Sequence, residues 1–107
     1  LALGTPGSYG ILQTQVQAMV GHVDFGLDIQ AAIELPRARL WDGKQIYLER
    51  RVPHSVCVEL SARGHDVALL PDYSWRTGGM QAVSRDPDSG ALAGAADSRR
   101  DGAVIPA

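Results

Sequence analysis

The residues best placed to do chemistry lie near the start of the chain, in a glycine-rich stretch. It reads Gly4-Thr5-Pro6-Gly7-Ser8-Tyr9-Gly10 and leads into a predicted helix from Ile11 to Phe25. Glycine lacks a Cβ, so other groups can approach its backbone closely. Free N–H groups at the positive end of a helix dipole stabilise a phosphate, a carboxylate or a developing oxyanion. The stretch therefore predicts an anion site, although it also fits a plain tight connection into a buried helix.

Other patterns of site residues are weak. The stretch matches neither the GxGxxG dinucleotide fingerprint nor a phosphate-binding loop ending in Gly-Lys-Ser/Thr. The single cysteine, Cys57, lies in an apolar run, which predicts a buried structural thiol. The histidines are far apart, and no CxxC or HExxH spacing occurs. We therefore expect no metal and no cofactor.

Length and charge restrict the class of protein. The chain has 107 residues, the size of one domain, with 10 Lys+Arg against 12 Asp+Glu and a formal charge of −2. This balance argues against nucleic-acid binding, and no apolar run is long enough to predict a membrane span. Leu1-Ala2-Leu3 looks like the end of a strand already in progress, which predicts a piece of a longer protein. The compartment, periplasmic or cytoplasmic, is left open.

The elements that must position the glycine-rich stretch are helices and short strands. The long helix carries an apolar stripe on one face, and a short helix from Ile29 to Glu34 has Asp28 as N-cap and Pro36 as its stop. Asp42-Gly43 favours a tight turn between strands at 37–41 and 45–49. A helix over 53–63, with apolar positions Val52, Val56 and Leu60, precedes a strand at 66–70. Two more strands are predicted at 80–84 and 91–95, and an irregular tail at 96–107.

Several of these pieces, taken in order, resemble one family. The motifs are Gly4-Thr5-Pro6-Gly7, Val23-Asp24-Phe25-Gly26-Leu27-Asp28-Ile29-Gln30-Ala31-Ala32, Pro36-Arg37, Arg63-Gly64-His65-Asp66-Val67, Gly79-Met80-Gln81-Ala82-Val83 and Gly94-Ala95-Ala96-Asp97 with Arg99-Arg100. In order and spacing they resemble the C-terminal part of the small subunit of γ-glutamyltransferases. The resemblance implies an α+β fold, part of the four-layer αββα N-terminal-nucleophile hydrolase architecture of helices and antiparallel strands, with residues 1–107 forming one segment of the catalytic domain.

The resemblance also implies a catalytic mechanism, of which this segment contains only part of the machinery. In the family the precursor cuts itself, and the threonine that becomes the first residue of the small subunit attacks a γ-glutamyl amide such as a glutathione-like donor. That threonine is absent here, so the chain alone is expected to be inactive. Its partners would be the rest of the small subunit, the large subunit and a small γ-glutamyl substrate. Backbone N–H groups of Gly7 and Ser8 match the oxyanion hole, where the family usually has two glycines.

Alternatives to a γ-glutamyltransferase remain open. Related enzymes act as cephalosporin acylases or other amidohydrolases, and the segment also fits a non-catalytic binding module. Arg37 is predicted to form a structural ion pair, and Asp97 and Arg99 to tie the tail to the body. The aromatic loop residues Tyr73, Trp75 and Arg76 either edge an acceptor site or simply pack. A fragment should expose an apolar patch, and an isolated chain is then expected to dimerise through it or to be only marginally stable.

Overall fold

The computed structural model describes residues 1–106 as an α+β arrangement of two three-stranded sheets and three α-helices. The strands are β1 (Ala2–Gly4), β2 (Ala38–Leu40), β3 (Gln45–Glu49), β4 (Asp66–Leu70), β5 (Gln81–Arg85) and β6 (Leu92–Ala96). The helices are α1 (Gly10–Met19), α2 (Ile29–Glu34) and α3 (His54–Ala62). A π-helical turn, Val20–Asp24, continues α1, and a 3₁₀ turn covers Trp75–Thr77.

The first sheet has the order β1-β5-β6, with both pairings antiparallel. Helices α1 and α2 cover one face of this sheet. The core between them consists of small and medium apolar side chains: Leu3, Ala18, Ile29, Ile33, Met80, Ala82 and Ala95. The opposite face keeps Val83 and Leu92 largely exposed, so this sheet has apolar surface on both sides.

The second sheet has the order β2-β3-β4 and is mixed. The predicted turn joins the antiparallel strands β2 and β3, but its central residues are Gly43 and Lys44, because the Gln45 N–H donates to the Asp42 carbonyl at 2.8 Å. Gly43 has a positive φ of 52°, whereas Asp42 does not. Strands β3 and β4 pair in parallel, with α3 as the crossover. Its small core contains Ile46, Leu48 and the buried thiol of Cys57. Val56, expected on the inner face of α3, is instead 39% exposed, because Cys57 takes the inward position.

Helix α1 exposes its apolar stripe, whereas an amphipathic helix usually buries it. Its apolar stripe points outward, with the most exposed members, Leu12, Val16 and Val23, at 60% exposure or more. The inward residues are instead the small side chains Gly10, Thr14 and Ala18. The stripe therefore forms an exposed apolar surface, as expected for a segment separated from the rest of its protein.

Two glutamines explain this orientation. Gln17 donates to the Ala38 carbonyl (2.8 Å) and accepts from the Ala38 N–H (2.9 Å). Gln13 makes the same pair of bonds to Leu40, at 3.1 and 2.7 Å. Their amides occupy the backbone groups along the free edge of β2, as a neighbouring strand would. The glutamine face of α1 is therefore held against the second sheet, which turns the apolar stripe away from it.

The remaining predicted elements lie close to their expected positions. Asp28 Oδ1 accepts from Ala31 N at 2.9 Å and caps α2, which ends before Pro36 as predicted. Strand β4 has the predicted bounds, and β5 and β6 are each displaced by one residue. Residues 97–106 form no helix or strand, while Ala107, the end of the predicted tail, lies outside the described residues. Nowhere in residues 1–106 is a helix both long and apolar enough to span a bilayer.

Candidate active-site loop and cleft

The glycine-rich loop presents bare backbone N–H groups. Gly7 has a φ of 140° and Ser8 a φ of 52°, and the Gly10 N–H closes the turn onto the Gly7 carbonyl at 2.9 Å. Within residues 1–106, no acceptor lies within hydrogen-bonding distance of the N–H of Gly7 or Ser8. Both residues line an open cleft, immediately before the first turn of α1. Their N–H groups are therefore available to a group that occupies the cleft.

Ser8 adopts a backbone conformation that suits glycine better than serine. A left-handed conformation costs a residue with a Cβ about 1–2 kcal/mol. The loop nevertheless keeps this shape with serine in place. The backbone geometry that a glycine would give is thus preserved at Ser8, and the hydroxymethyl side chain is the only chemical difference.

A second loop holds the glycine-rich loop in position. The Gly79 N–H donates to Thr5 Oγ1 at 3.0 Å, and Thr14 Oγ1 donates to the Thr77 carbonyl at 2.8 Å. Gly78 lies between these contacts, where a Cβ would come within 2.6 Å of Thr5 Oγ1. The loop from Ser74 to Gly79 therefore fixes both the glycine-rich loop and the start of α1.

The cleft in front of Gly7 and Ser8 is aromatic and positively charged. Its volume is about 490 Å³, and the other lining residues are Arg39, Trp41, Tyr47, Trp75 and Arg76. Trp41 and Tyr47 pack with ring centroids 6.1 Å apart, and the Arg39 guanidinium lies 4.8 Å from the Trp41 ring centroid. The lining includes no carboxylate. Its composition suits a small ligand with a planar or apolar part and negative charge.

Glu49, at the end of β3, is a fully buried polar residue. Its Oε1 accepts from Arg99 Nε (2.6 Å) and from Ser74 N (2.9 Å). Its Oε2 accepts from Arg99 Nη2 (2.7 Å), Arg51 Nη2 (2.8 Å) and Arg37 N (3.1 Å). Thr77 Oγ1 also donates to Oε1 at 3.1 Å. Glu49 thus connects the second sheet to the loop that supports the cleft.

Asp97 completes a cluster with Arg37 and Arg99, and all three side chains are almost fully buried. Asp97 Oδ2 accepts from Arg37 Nη1 at 2.7 Å, and its Oδ1 accepts from Arg99 Nη1 at 3.0 Å. The arginines also donate to carbonyls at the end of α2: Arg37 to Ile33 (2.7 Å), and Arg99 to Ile33 (3.0 Å) and Leu35 (2.8 Å). Positive charge at a helix C-terminus is favourable. We call Arg37, Glu49, Asp97 and Arg99 the buried cluster.

The pKa values in the buried cluster follow from burial and pairing. Burial, the largest single influence, would raise the pKa of Glu49, but the hydrogen bonds and charge of Arg99, the Arg37 N–H and the Arg51 charge together hold it below its usual value. The pKa of Asp97 is lowered in the same way: burial opposes the shift, while the Met80 N–H and the Arg37 charge produce it. Burial and the neighbouring Arg99 charge lower the pKa of Arg37. Both carboxyl groups are therefore ionised near neutral pH.

The structure brings some of the sequence-derived candidates together and separates others. Gly7, Ser8, Trp75 and Arg76 share the cleft, whereas Tyr73 lies outside its lining and stacks on Arg51 at 3.7 Å. The predicted ion pair of Arg37 is present, with Asp97 as partner, and Arg99 ties the tail to the body. In residues 1–106, no group of three His, Cys, Asp or Glu side chains is placed to hold a metal ion.

Sequence reasoning missed Glu49 and three cleft residues, Arg39, Trp41 and Tyr47. Strand alternation gives no signal for Glu49, because it follows the buried Leu48 and belongs to the predicted outer face. The cleft residues lie on the β2–β3 hairpin, about 30–40 residues after the loop. Contacts of Gln13, Gln17 and Arg39 bring the hairpin next to it. An aromatic and basic cluster at a predicted hairpin was the only available signal.

Comparison with known proteins gives consistent matches along the whole chain. The model of the gamma-glutamyltranspeptidase family matches residues 1–107. An acylase ACY 1 proenzyme from Pseudomonas sp. (strain V22) is 41% identical over 105 residues, covering 97% of this chain and 18% of the relative. A glutathione hydrolase proenzyme from Bacillus subtilis (strain 168) is 32% identical, covering 98% of this chain and 17% of the relative.

A solved structure matches in the same way. The cephalosporin acylase from Bacillus halodurans superposes with a TM-score of 0.89 at 36% sequence identity, covering 96% of this chain and 19% of the acylase. The chain thus spans slightly less than a fifth of the length of these relatives. Because the family model matches the full length of the chain, the chain belongs to the γ-glutamyltranspeptidase family.

Proposed function

We propose that this segment supplies the oxyanion hole of an amide-cleaving enzyme that transfers or hydrolyses γ-glutamyl groups. The nucleophile would be a threonine outside this chain, released by self-cleavage of a precursor. Its hydroxyl attacks the amide carbonyl, its α-amine accepts the proton, and the amine product leaves from an acyl-enzyme. Water or an acceptor amine then takes the acyl group.

One observation carries the proposal: Gly7 and Ser8, whose N–H groups form no hydrogen bond within residues 1–106, line a cleft. In the tetrahedral intermediate the carbonyl oxygen becomes negative, and backbone N–H groups already in position stabilise that charge without reorganisation. Their location before the first turn of α1 adds the positive end of the helix dipole. Ser8 retains the N–H of the glycine usual in the family, so the exchange preserves the donor.

The surfaces of the segment support the proposed partners, the rest of the small subunit and the large subunit. The apolar stripe of α1 and the outer face of the first sheet are both exposed. Surfaces of this kind are normally buried in a complete domain. The relatives are also named proenzymes, in keeping with a precursor that is processed.

A second candidate is an acylase that removes a different acyl group. The observation that favours it is the higher identity to the acylase ACY 1 proenzyme, 41% against 32% for the glutathione hydrolase. A glutaryl group differs from a γ-glutamyl group by the α-amino group alone. Comparing kcat/KM for glutaryl and γ-glutamyl 4-nitroanilides with the full-length processed protein therefore separates the two candidates. Faster turnover of the glutaryl compound would assign the acylase function.

The oxyanion-hole role is tested at Gly7 in the full-length protein. Gly7→Pro removes the N–H and also holds φ near about −65°. Gly7→Ala keeps the N–H and introduces a Cβ at a position with a φ of 140°. Loss of one such donor typically lowers kcat about 100- to 1,000-fold. We expect Gly7→Pro to be slower than Gly7→Ala by about that factor, with matching melting temperatures as the check on folding. Equal kcat values for the two folded variants would contradict the role.

A further inference from the structure

The half-buried Arg39 and the exposed Arg76 of the cleft lack the carboxylate partners that the buried Arg37 and Arg99 have. Arg39 Nη1 donates only to the Arg76 carbonyl, at 2.7 Å, and its buried Nε has no partner within residues 1–106. Arg76 forms no ion pair among the described residues. Two guanidinium groups therefore border the same cleft with no compensating negative charge from its lining.

The position of Arg39 makes this imbalance larger. Its Nε and Cζ lie 3.3 Å from the place where a Cβ of Gly10 would be, so the guanidinium sits against the first residue of α1. A cation at a helix N-terminus is unfavourable, because the dipole is positive there. The free N–H groups of Gly7 and Ser8 add to the positive potential. A negatively charged ligand would neutralise all of these groups together.

The aromatic residues of the cleft define the rest of the ligand. Trp41, Tyr47 and Trp75 all line it, and Trp41 and Trp75 are more than half exposed. Their ring faces are thus available to a planar or apolar group. Exposed tryptophans beside unpaired guanidinium groups are typical of a surface that becomes buried on binding.

We propose that this cleft binds a carboxylate group of the amide substrate between Arg39 and Arg76, with the adjoining planar or apolar part against Trp41 and Trp75. This assignment rests on the proposed function, since the N–H groups of Gly7 and Ser8 mark the reacting carbonyl at one end of the cleft. The carboxylate belongs either to the leaving amine or to the acyl group, and the chemistry of recognition is the same.

Binding of two aromatic amines tests the cleft independently of turnover. The probes are 4-nitroaniline and 5-amino-2-nitrobenzoate, which differ by one ring carboxylate. Equilibrium dialysis against the full-length protein gives the ratio of their dissociation constants. Because a hydrogen-bonded charge pair at a partly exposed site discriminates by about tenfold, we expect the carboxylate compound to bind about tenfold more tightly.

Substitutions at Arg39 and Arg76 test whether these two residues cause the tighter binding of the carboxylate compound. Arg39→Gln and Arg76→Gln each should reduce the ratio towards one, whereas Arg63→Gln should leave it unchanged. Arg63 is a matched control because it is an exposed arginine that pairs with Glu59 just after α3 and does not line the cleft. A ratio near one in the unmodified protein, together with no acyl-side preference in the next assay, would overturn the proposal.

Turnover identifies which part of the substrate carries the carboxylate. One comparison adds a ring carboxylate to the 4-nitroanilide leaving group, and the other replaces the terminal carboxylate of a glutaryl 4-nitroanilide by a carboxamide. One of these two preferences in kcat/KM should fall in Arg39→Gln and Arg76→Gln but not in Arg63→Gln. That preference identifies the part of the substrate whose carboxylate binds the cleft.

The outcomes distinguish the two proposals. If no anilide is hydrolysed while the carboxylated amine still binds through Arg39 and Arg76, the proposed function fails and the carboxylate site stands. If anilides are hydrolysed without either preference, the carboxylate site fails and the proposed function stands.

Discussion

The buried cluster and the cleft contain the same kind of side chain in opposite electrostatic situations. Arg37 and Arg39 are two residues apart, yet Arg37 is 1% exposed and bonded to Asp97, whereas Arg39 has only a backbone carbonyl as partner. Arg99 likewise has two carboxylate partners, and Arg76 has none among residues 1–106.

This difference separates structural charge from charge available to a ligand. A buried ion must be matched within the fold, because removing it from water costs several kcal/mol. A partly exposed guanidinium beside a cleft can stay hydrated until a ligand replaces the water. Whether an arginine has a carboxylate partner, rather than the presence of an arginine as such, therefore indicates its role here.

The largest effect is expected from Glu49→Gln, which removes the charge that matches Arg99. Breaking a buried ion pair on one side typically costs about 3–5 kcal/mol, and Arg99 and Arg51 would both lose a partner. Thermal unfolding of the full-length protein should show a clearly lower midpoint. Glu59→Gln, at an exposed pair with Arg63, is the matched control and should change stability by less than about 0.5 kcal/mol. Similar midpoints for the two variants would show that the buried cluster is not structural.

The next largest effect is expected when the neighbouring arginines Arg37 and Arg39 are each replaced by glutamine. Arg37→Gln leaves Asp97 with less compensation and should destabilise the protein by about 3 kcal/mol. Arg39→Gln removes a cation from the start of α1 and should stay within about 0.5 kcal/mol of the unmodified protein. Chemical unfolding of both variants measures the difference. Equal destabilisation would remove the distinction between buried cluster and cleft.

The buried cluster should make the largest contribution to the loss of stability in acid, although hydrogen bonds from Ser89 also lower the pKa of the exposed Asp86. The pKa values of Glu49 and Asp97 are lowered in the folded state, so their contribution is fully present above their unfolded values, about 4. It is lost as pH falls from there through the lower folded values. Unfolding midpoints should thus fall below about pH 4, with a smaller slope in Glu49→Gln. An unchanged slope in that variant would assign the acid sensitivity to other groups.

The smallest effect is expected from Ser8→Gly in the loop of the cleft. Relief of the left-handed conformation gains about 1–2 kcal/mol, and the greater freedom of glycine in the unfolded chain offsets about 0.5–1 kcal/mol. A net gain of at most about 1.5 kcal/mol should appear as a higher melting temperature. Ser8→Val, which is β-branched, should instead destabilise the protein. A loss of stability in Ser8→Gly would mean that the serine side chain makes a compensating contact.

Local signals in the sequence predicted most of the elements. The Asp28 cap with the Pro36 stop, and the Asp42-Gly43 turn, act within a few residues, so the sequence alone reveals them. The ion pair of Arg37 and the attachment of the tail through Arg99 were also predicted. The family resemblance pointed to the loop at Gly7 and Ser8, whose role stays a prediction. Each of these features either depends on residues close together in the sequence or belongs to a recognisable motif.

Contacts between distant elements account for what the sequence did not predict. The apolar stripe of α1 is exposed, although amphipathic helices usually bury their apolar face. The amides of Gln13 and Gln17 pair with the backbone of β2 instead, and this pairing depends on a strand more than 20 residues away. Glu49 has partners up to 50 residues away, so its role appears only when the loops and the tail are assembled.

The late position of Arg99 has a consequence for biosynthesis. Its guanidinium contacts Glu49, 50 residues earlier, and Ile33, 66 residues earlier, and it is translated after every other member of the buried cluster. Until the ribosome has released it, the nascent segment holds Glu49 without its main counter-ion. Since contacts of such long sequence separation form late and slowly, this part of the protein completes its folding after translation of residue 99 rather than element by element.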